Sequence, residues 1–242
     1  MLCLITAILL HSLLKLKSWK LELPDTILLK LKAGSWSFQV QMQKPFYRQK
    51  LPHKQTANAI YFVTYRLYGS IPISVIQQIQ LQQEQALKKL LMDKQFTAAN
   101  EYVQQKKAFA QYDSFLDNNL NEPYWLQQTE IAQLVYDSLL HLSTTEIELY
   151  CFTIMSNHVH ALFSVNNTDI DLYKIMQLHK SFTAKKANII LQRERAFWEP
   201  ESYDHIVRAG EFDKIVNYIL QNTVKAGLVK KWEDWQWTYL AK

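Results

Sequence analysis

A chain of 242 residues, 48% of them apolar, suits one large domain or two small ones and can bury a sizeable core. Four glycines and six prolines exclude a loop-rich or collagen-like chain, and two cysteines, Cys3 and Cys151, are too few for a disulfide framework and read as reduced thiols of a cytoplasmic protein. The net charge of +5 hints at nucleic acid, but residues 1–59 hold nine Lys/Arg against two Asp/Glu and the rest 18 basic against 20 acidic groups, so the excess belongs to the N-terminal segment and any DNA-binding surface must come from local clustering, not bulk charge.

The N-terminal segment is unusual. Leu2 to Leu14 is almost continuously hydrophobic, yet it falls short of the roughly 20 residues that span a bilayer. No cationic n-region precedes it and no A-x-A-like cleavage site follows, so no membrane segment is read. Lys15 to Val40 is poorly patterned. Three explanations stand: a start codon assigned too far upstream, with Met42 the real start; a true N-terminal extension; or a degenerate membrane anchor. The expected division is an extension over 1–43 and a single domain over 44–242.

Ala59 to Leu67, AIYFVTYRL, is aromatic and β-branched and predicts a buried strand that Gly69 and Pro72 end. Ser74 to Tyr112 lacks Gly and Pro, is rich in Gln, Lys and Glu, and predicts one or two exposed helices. This insertion, about 74–122, reads as a solvated helical hairpin without chemistry. Glu130 to Leu142 carries Ile131, Leu134, Val135, Leu139 and Leu142, a helical apolar stripe. ELYCFTIM over 148–155 and HVHALFSV over 158–165 predict two strands joined by a very tight turn at Asn157. Asp169 to about Gln192 predicts a long helix, Phe197 to Val207 a fourth strand, and Glu211 to Ala226 a helix with Gly227 at its C′ position. Trp232, Trp235 and Trp237 follow; the tail packing of these rings is favoured over stacking on bases. With the insertion removed, the order is a ferredoxin-like split βαβ pattern. The expected class is α+β: an antiparallel sheet with helices on one face and a helical insertion after the first strand.

Residues i and i+2 of a strand share a face, so His158 and His160 present two imidazoles side by side. H-x-H alone is a weak pattern and also fits two strand histidines that bind nothing. A structural zinc site would need more thiolate than Cys151 offers; oxygen ligands and phosphate suit Mg²⁺ or Mn²⁺ better. In EFDKIVNYILQNTVKAG, Tyr218 and Asn222 stack at i, i+4 on the edge of the apolar stripe. A boundary Tyr is ordinarily structural. The chemical alternative is a phenol that attacks a phosphodiester, with a metal polarising the phosphoryl oxygens and Asn222 as a third ligand. Tyr203 in SYDHIVR is the rival nucleophile. Lys180, Lys185 and Lys186, with Arg208, are candidate phosphate contacts, although a solvated helix face fits the three lysines equally well.

Taken together, YCFTIMSNHVHALFSV, FWEPESYDHIVR, YILQNTVKAGLV and the closing DWQWTYL resemble the REP-associated tyrosine transposases, within the single-tyrosine HUH transposases. AIYFVTYRLYGSIP resembles their opening strand, and the likeness covers about residues 44–240. It implies a ferredoxin-like fold, a divalent metal, and single-stranded hairpin DNA of repetitive extragenic palindromes as partner. It implies metal ligation by His158 and His160, with Asn222 where a polar third ligand is expected, and nucleophilic attack by Tyr218 through a 5′-phosphotyrosine. Ser156 and Thr223 stand where proline is usual, and neither replaces a catalytic group. The expected protein is cytoplasmic and nucleoid-associated, monomer or homodimer, without membrane contact. The alternatives are a catalytically silent nucleic-acid-binding protein on the same sheet and a two-histidine phosphoesterase, which needs two H-x-[ST] motifs, a setting that neither His158 nor His160 has.

Overall fold

The computed structural model describes residues 59–118, 123–166 and 172–241. The expectations for the N-terminal extension, its start site and the beginning of the 44–242 domain lie outside the described residues. So do 119–122, at the end of the expected insertion, and 169–171, at the start of the predicted helix.

Five strands form one antiparallel sheet: β1 (Ile60–Arg66), β2 (Ile147–Ile154), β3 (His158–Val165), β4 (Tyr203–Ile206) and β5 (Thr238–Leu240). Their spatial order is β4-β1-β3-β2-β5. The first four reproduce the split βαβ arrangement, and β5 adds an edge strand from the C-terminal tail. The helices are α1 (Ile73–Met92), α2 (Ala98–Asn118), α3 (Thr129–Ser143), α4 (Leu172–Ile190) and α5 (Phe212–Lys225). Thus α1 and α2 are the insertion after the first strand, and the α+β class is as the sequence indicates. Among the described residues no helix is long and apolar enough to cross a membrane.

One detail of the expected architecture is corrected. Helices lie on both faces of the sheet rather than one. All eight residues of β3 are buried, which a sheet with a solvated face cannot achieve. On one face, Val159, Ala161 and Phe163 pack with Val63 and Tyr65 of β1 and with Ile131, Val135, Leu139, Ile175 and Met176 of α3 and α4. On the other, Phe62, Cys151 and Leu162 pack with Ile219 of α5, and Phe109 of α2 joins them. The imidazoles of His158 and His160 belong to this second face by strand alternation.

The β2–β3 turn is tight: the Met155 amide donates to the His158 carbonyl at 2.8 Å. The Leu67 amide donates to the Asn157 carbonyl at 2.8 Å, which ties the turn to the end of β1. The predicted fourth strand is shorter than expected, because 197–202 contributes only an isolated bridge between Leu67 and Trp198. The Trp-rich tail packs rather than projects. Trp237 is buried in the main core, and Trp235 Nε1 donates to the Ile154 carbonyl at 2.9 Å.

Candidate metal and nucleophile site

Register places the histidines at the middle of the sheet. His158 pairs with Arg66 and His160 with Thr64 on β1, while β2 offers Thr153 opposite His160. Both side chains are essentially inaccessible, at 1% and 0% relative exposure. Their Nε2 atoms lie 3.0 Å apart.

Second partners orient both rings. Asn157 Nδ2 donates to the Leu116 carbonyl of α2 at 3.2 Å, which leaves Asn157 Oδ1 as an acceptor. His158 Nδ1–H donates to that oxygen at 2.6 Å. His158 Nε2 is therefore a lone pair, and burial, then its neighbour His160, hold the ring neutral with a pKa depressed to about 3. His160 Nδ1 meets Thr64 Oγ1 at 2.7 Å. With the proton on that nitrogen, its Nε2 too presents a lone pair to the same point.

The helical insertion completes the group, which corrects its reading as a solvated hairpin without chemistry. Asp113 of α2 is buried, and its Oδ1 lies 3.2 Å from His160 Nε2. One ligand atom each from Asp113, His158 and His160 falls within 4.8 Å of the others, an arrangement that could hold a metal ion. Asp117, one turn on, approaches His158 Nε2 at 3.9 Å. Burial would raise the Asp113 pKa, but the charge and hydrogen bond that His160 brings when its Nε2 is protonated, with the Tyr218 hydroxyl, outweigh it and lower the carboxyl to about 2. Burial, then the Asp113 charge, push Asp117 up to about 6.

Tyr218 reaches this centre from α5. Its hydroxyl donates to Asp113 Oδ2, and its ring lies edge-on to His160 with centroids 5.6 Å apart. Burial and the adjoining Asp113 carboxylate raise its pKa far above the ordinary value, so the phenol is neutral here. A cavity of about 350 Å³ opens beside it between α2 and α5, lined by Phe109, Asp113, Asp117, Tyr218 and Lys225. Lys225 Nζ stands 4.6 Å from the Tyr218 ring centre. Asn222 is fully buried one turn beyond Tyr218. It is near enough to favour the ionised phenol, yet neither of its amide atoms has an acceptable hydrogen bond.

The other candidates lie apart from this cluster or against its rim. Tyr203 stacks on Phe109 at 4.0 Å, with burial pushing its pKa up. Lys180, Lys185 and Lys186 sit on α4, which packs against the opposite sheet face. Lys180 is buried, with Nζ donating to the Pro200 carbonyl at 3.0 Å and to Ser202 Oγ at 3.2 Å, and burial lowers its pKa to about 8. Lys185 and Lys186 are exposed. Arg208 is exposed, its guanidinium 3.6 Å from the Tyr102 ring centre. Sequence reading missed Asp113 and the orienting role of Asn157. The N-H-V-H run pointed at Asn157, while nothing local marked Asp113.

A solved structure of a REP-associated tyrosine transposase bound to a REP hairpin aligns with a TM-score of 0.45 and 16% identity, covering 75% of this chain and 76% of that one. No curated protein matches. Residues 128–222 match the family described as transposase IS200 like, a stretch that takes in α3, the histidine hairpin, α4 and Tyr218 through Asn222. Over residues 128–222, then, this chain is similar in sequence to the IS200-like transposases.

Proposed function

We propose that this protein is a metal-dependent single-stranded-DNA endonuclease and strand transferase, a transposase acting on hairpin-forming palindromic repeats. Tyr218 is its nucleophile, and His158, His160 and Asn222 are metal ligands. The observation that carries the reading is the convergence of two oriented imidazole nitrogens and a tyrosine hydroxyl on one buried carboxylate, beside an open cavity.

The residues divide the work. Asn157 and Thr64 fix the rings of His158 and His160, so no reorientation is needed on loading. A bound divalent cation, Mg²⁺ or Mn²⁺ by the oxygen-rich surroundings, polarises the phosphoryl oxygens and offsets developing charge. Lys225, at the cavity mouth, meets the DNA backbone as a strand enters. Asp113 Oδ2 already holds the phenol hydrogen, so the proton that must leave Tyr218 has an acceptor in place. Tyr218 Oη bonds to phosphorus, the bond from phosphorus to the 3′ oxygen breaks, and a 5′-phosphotyrosine and a 3′-OH result. Lys185, Lys186 and Arg208 are exposed and are proposed phosphate contacts; Lys180 joins them only if it leaves Pro200 and Ser202.

The test is cleavage of short single strands carrying palindromic hairpins, with Mn²⁺ or with EDTA. Wild type is expected to cut only with Mn²⁺, and His158→Ala or His160→Ala should not cut at all. Cutting at the same rate in EDTA contradicts the reading. Metal-independent hairpin binding without cutting points to a silent DNA-binding protein instead.

A further inference from the structure

Helix α2 belongs to the insertion, outside the split βαβ frame, and the sheet closes without it. Yet Phe109, Asp113 and Asp117 recur every fourth residue along it, so one stripe of the helix faces the site. Its first half is held by a polar latch. Tyr102 Oη donates to Glu211 Oε1 at 2.8 Å, and Lys106 Nζ reaches the same carboxylate at 2.7 Å, just ahead of α5.

Its second half is held by the Tyr218 hydroxyl at Asp113 Oδ2 and by Asn157 at the Leu116 carbonyl, but two acceptors there stay open. Asp113 Oδ1 and Asp117 Oδ1 are both buried without an acceptable hydrogen bond, although each faces an imidazole, at 3.2 Å and 3.9 Å. Asp113 is more than nine-tenths buried, with 8% side-chain exposure. Two carboxylates one turn apart repel each other, and both Nε2 atoms offer lone pairs to the same hollow once the rings take their anchored tautomers. Buried acceptors without donors are costly, and a cation satisfies all of them at once.

We infer that the insertion is a working part of the metal centre: Asp113 Oδ1 is a protein ligand beside His158 and His160, so metal binding pins α2 onto β3 and α5. Asp117 adds charge from the outer side. One carboxylate then serves two partners, Oδ1 toward the cation and Oδ2 toward Tyr218. Loading the metal and seating the nucleophile become a single event. The inference rests on the proposed function for the presence of a cation, and it adds where the remaining charge comes from and what loading does to the fold.

The experiment uses the full chain and Mn²⁺ alone. Calorimetry gives the Mn²⁺ affinity of wild type, Asp113→Asn and His158→Ala, and amide hydrogen exchange follows 98–118 with and without Mn²⁺. Asparagine keeps the shape and an acceptor for the Tyr218 hydroxyl. Expected are at least tenfold weaker binding in Asp113→Asn and slower exchange across α2 when wild type is loaded. Binding in Asp113→Asn equal to or tighter than wild type overturns the inference; tighter binding would mean that the carboxylate merely occupies the site. If Asp113→Asn does not fold, the exchange arm decides: no change across α2 in wild type on loading is equally contrary. Loss in His158→Ala with retention in Asp113→Asn sinks only this inference. No Mn²⁺ binding by wild type sinks the functional reading as well.

Discussion

At the scale of single residues, the site depends on His158 being kept neutral, and a buried histidine outside the site shows what that costs. His179 is buried between Tyr65 Oη at 2.7 Å and Ser138 Oγ at 2.8 Å. Burial, then nearby Lys180, depress its pKa from 6.5 to about 3. Below pH 6.5 the unfolded chain takes up a proton that the folded chain refuses until about pH 3. Stability from this residue is therefore full above pH 6.5 and is lost progressively as pH falls toward 3. His158 acts in the same direction. Asp117 opposes both, because its raised pKa favours the folded state as pH falls through about 6. The contribution of His179 is isolated by difference. Urea midpoints at pH 7.5 and pH 5 should fall further in wild type than in His179→Gln. Equal falls in the two proteins would contradict the assignment.

At the scale of elements, α5 shows why part of the site was legible. Its end follows the chain rules: Gly227 takes φ +68°, its amide donates to the Val224 carbonyl at 3.0 Å, and the Leu228 amide donates to the Thr223 carbonyl at 3.0 Å. Nothing lies within 4 Å of a Cβ added there, so Gly227→Ala should cost only the backbone term, roughly 1 kcal/mol by urea denaturation. A loss beyond about 3 kcal/mol would mean that the turn packs more tightly than described. Tyr218 and Asn222 were readable because i, i+4 spacing is local. Asp113 was not, because its partners are 45 residues or more away in sequence and its helix has the polar composition of a solvated hairpin. The second helical layer was missed for a related reason. The apolar residues of β3 suggest one covered face, whereas the polar side chains of the other are buried by α5 and α2. Strand β5 is three residues long, too short for alternation to register.

At the scale of the molecule, topology does the gathering. The order β4-β1-β3-β2-β5 puts β3 at the centre of the sheet, where two buried imidazoles can be held rigidly. Helix α5 crosses the same face with the phenol, and the insertion reaches over from the other end of β1 with a carboxylate. Three stretches distant in sequence thus meet around Asp113, beside one cavity, and the match to IS200-like transposases takes in two of them. The central claim is that Tyr218 forms a covalent bond to DNA. It is tested most directly by a denaturing gel of labelled hairpin single strand with Mn²⁺ and wild type, Tyr218→Phe or Tyr203→Phe, with peptide mapping of any adduct. Removing one phenolic oxygen should change stability by about 1 kcal/mol. The expected result is a shifted band in wild type and Tyr203→Phe, mapped to Tyr218, and none in Tyr218→Phe. A shifted band in Tyr218→Phe that vanishes in Tyr203→Phe would contradict the account.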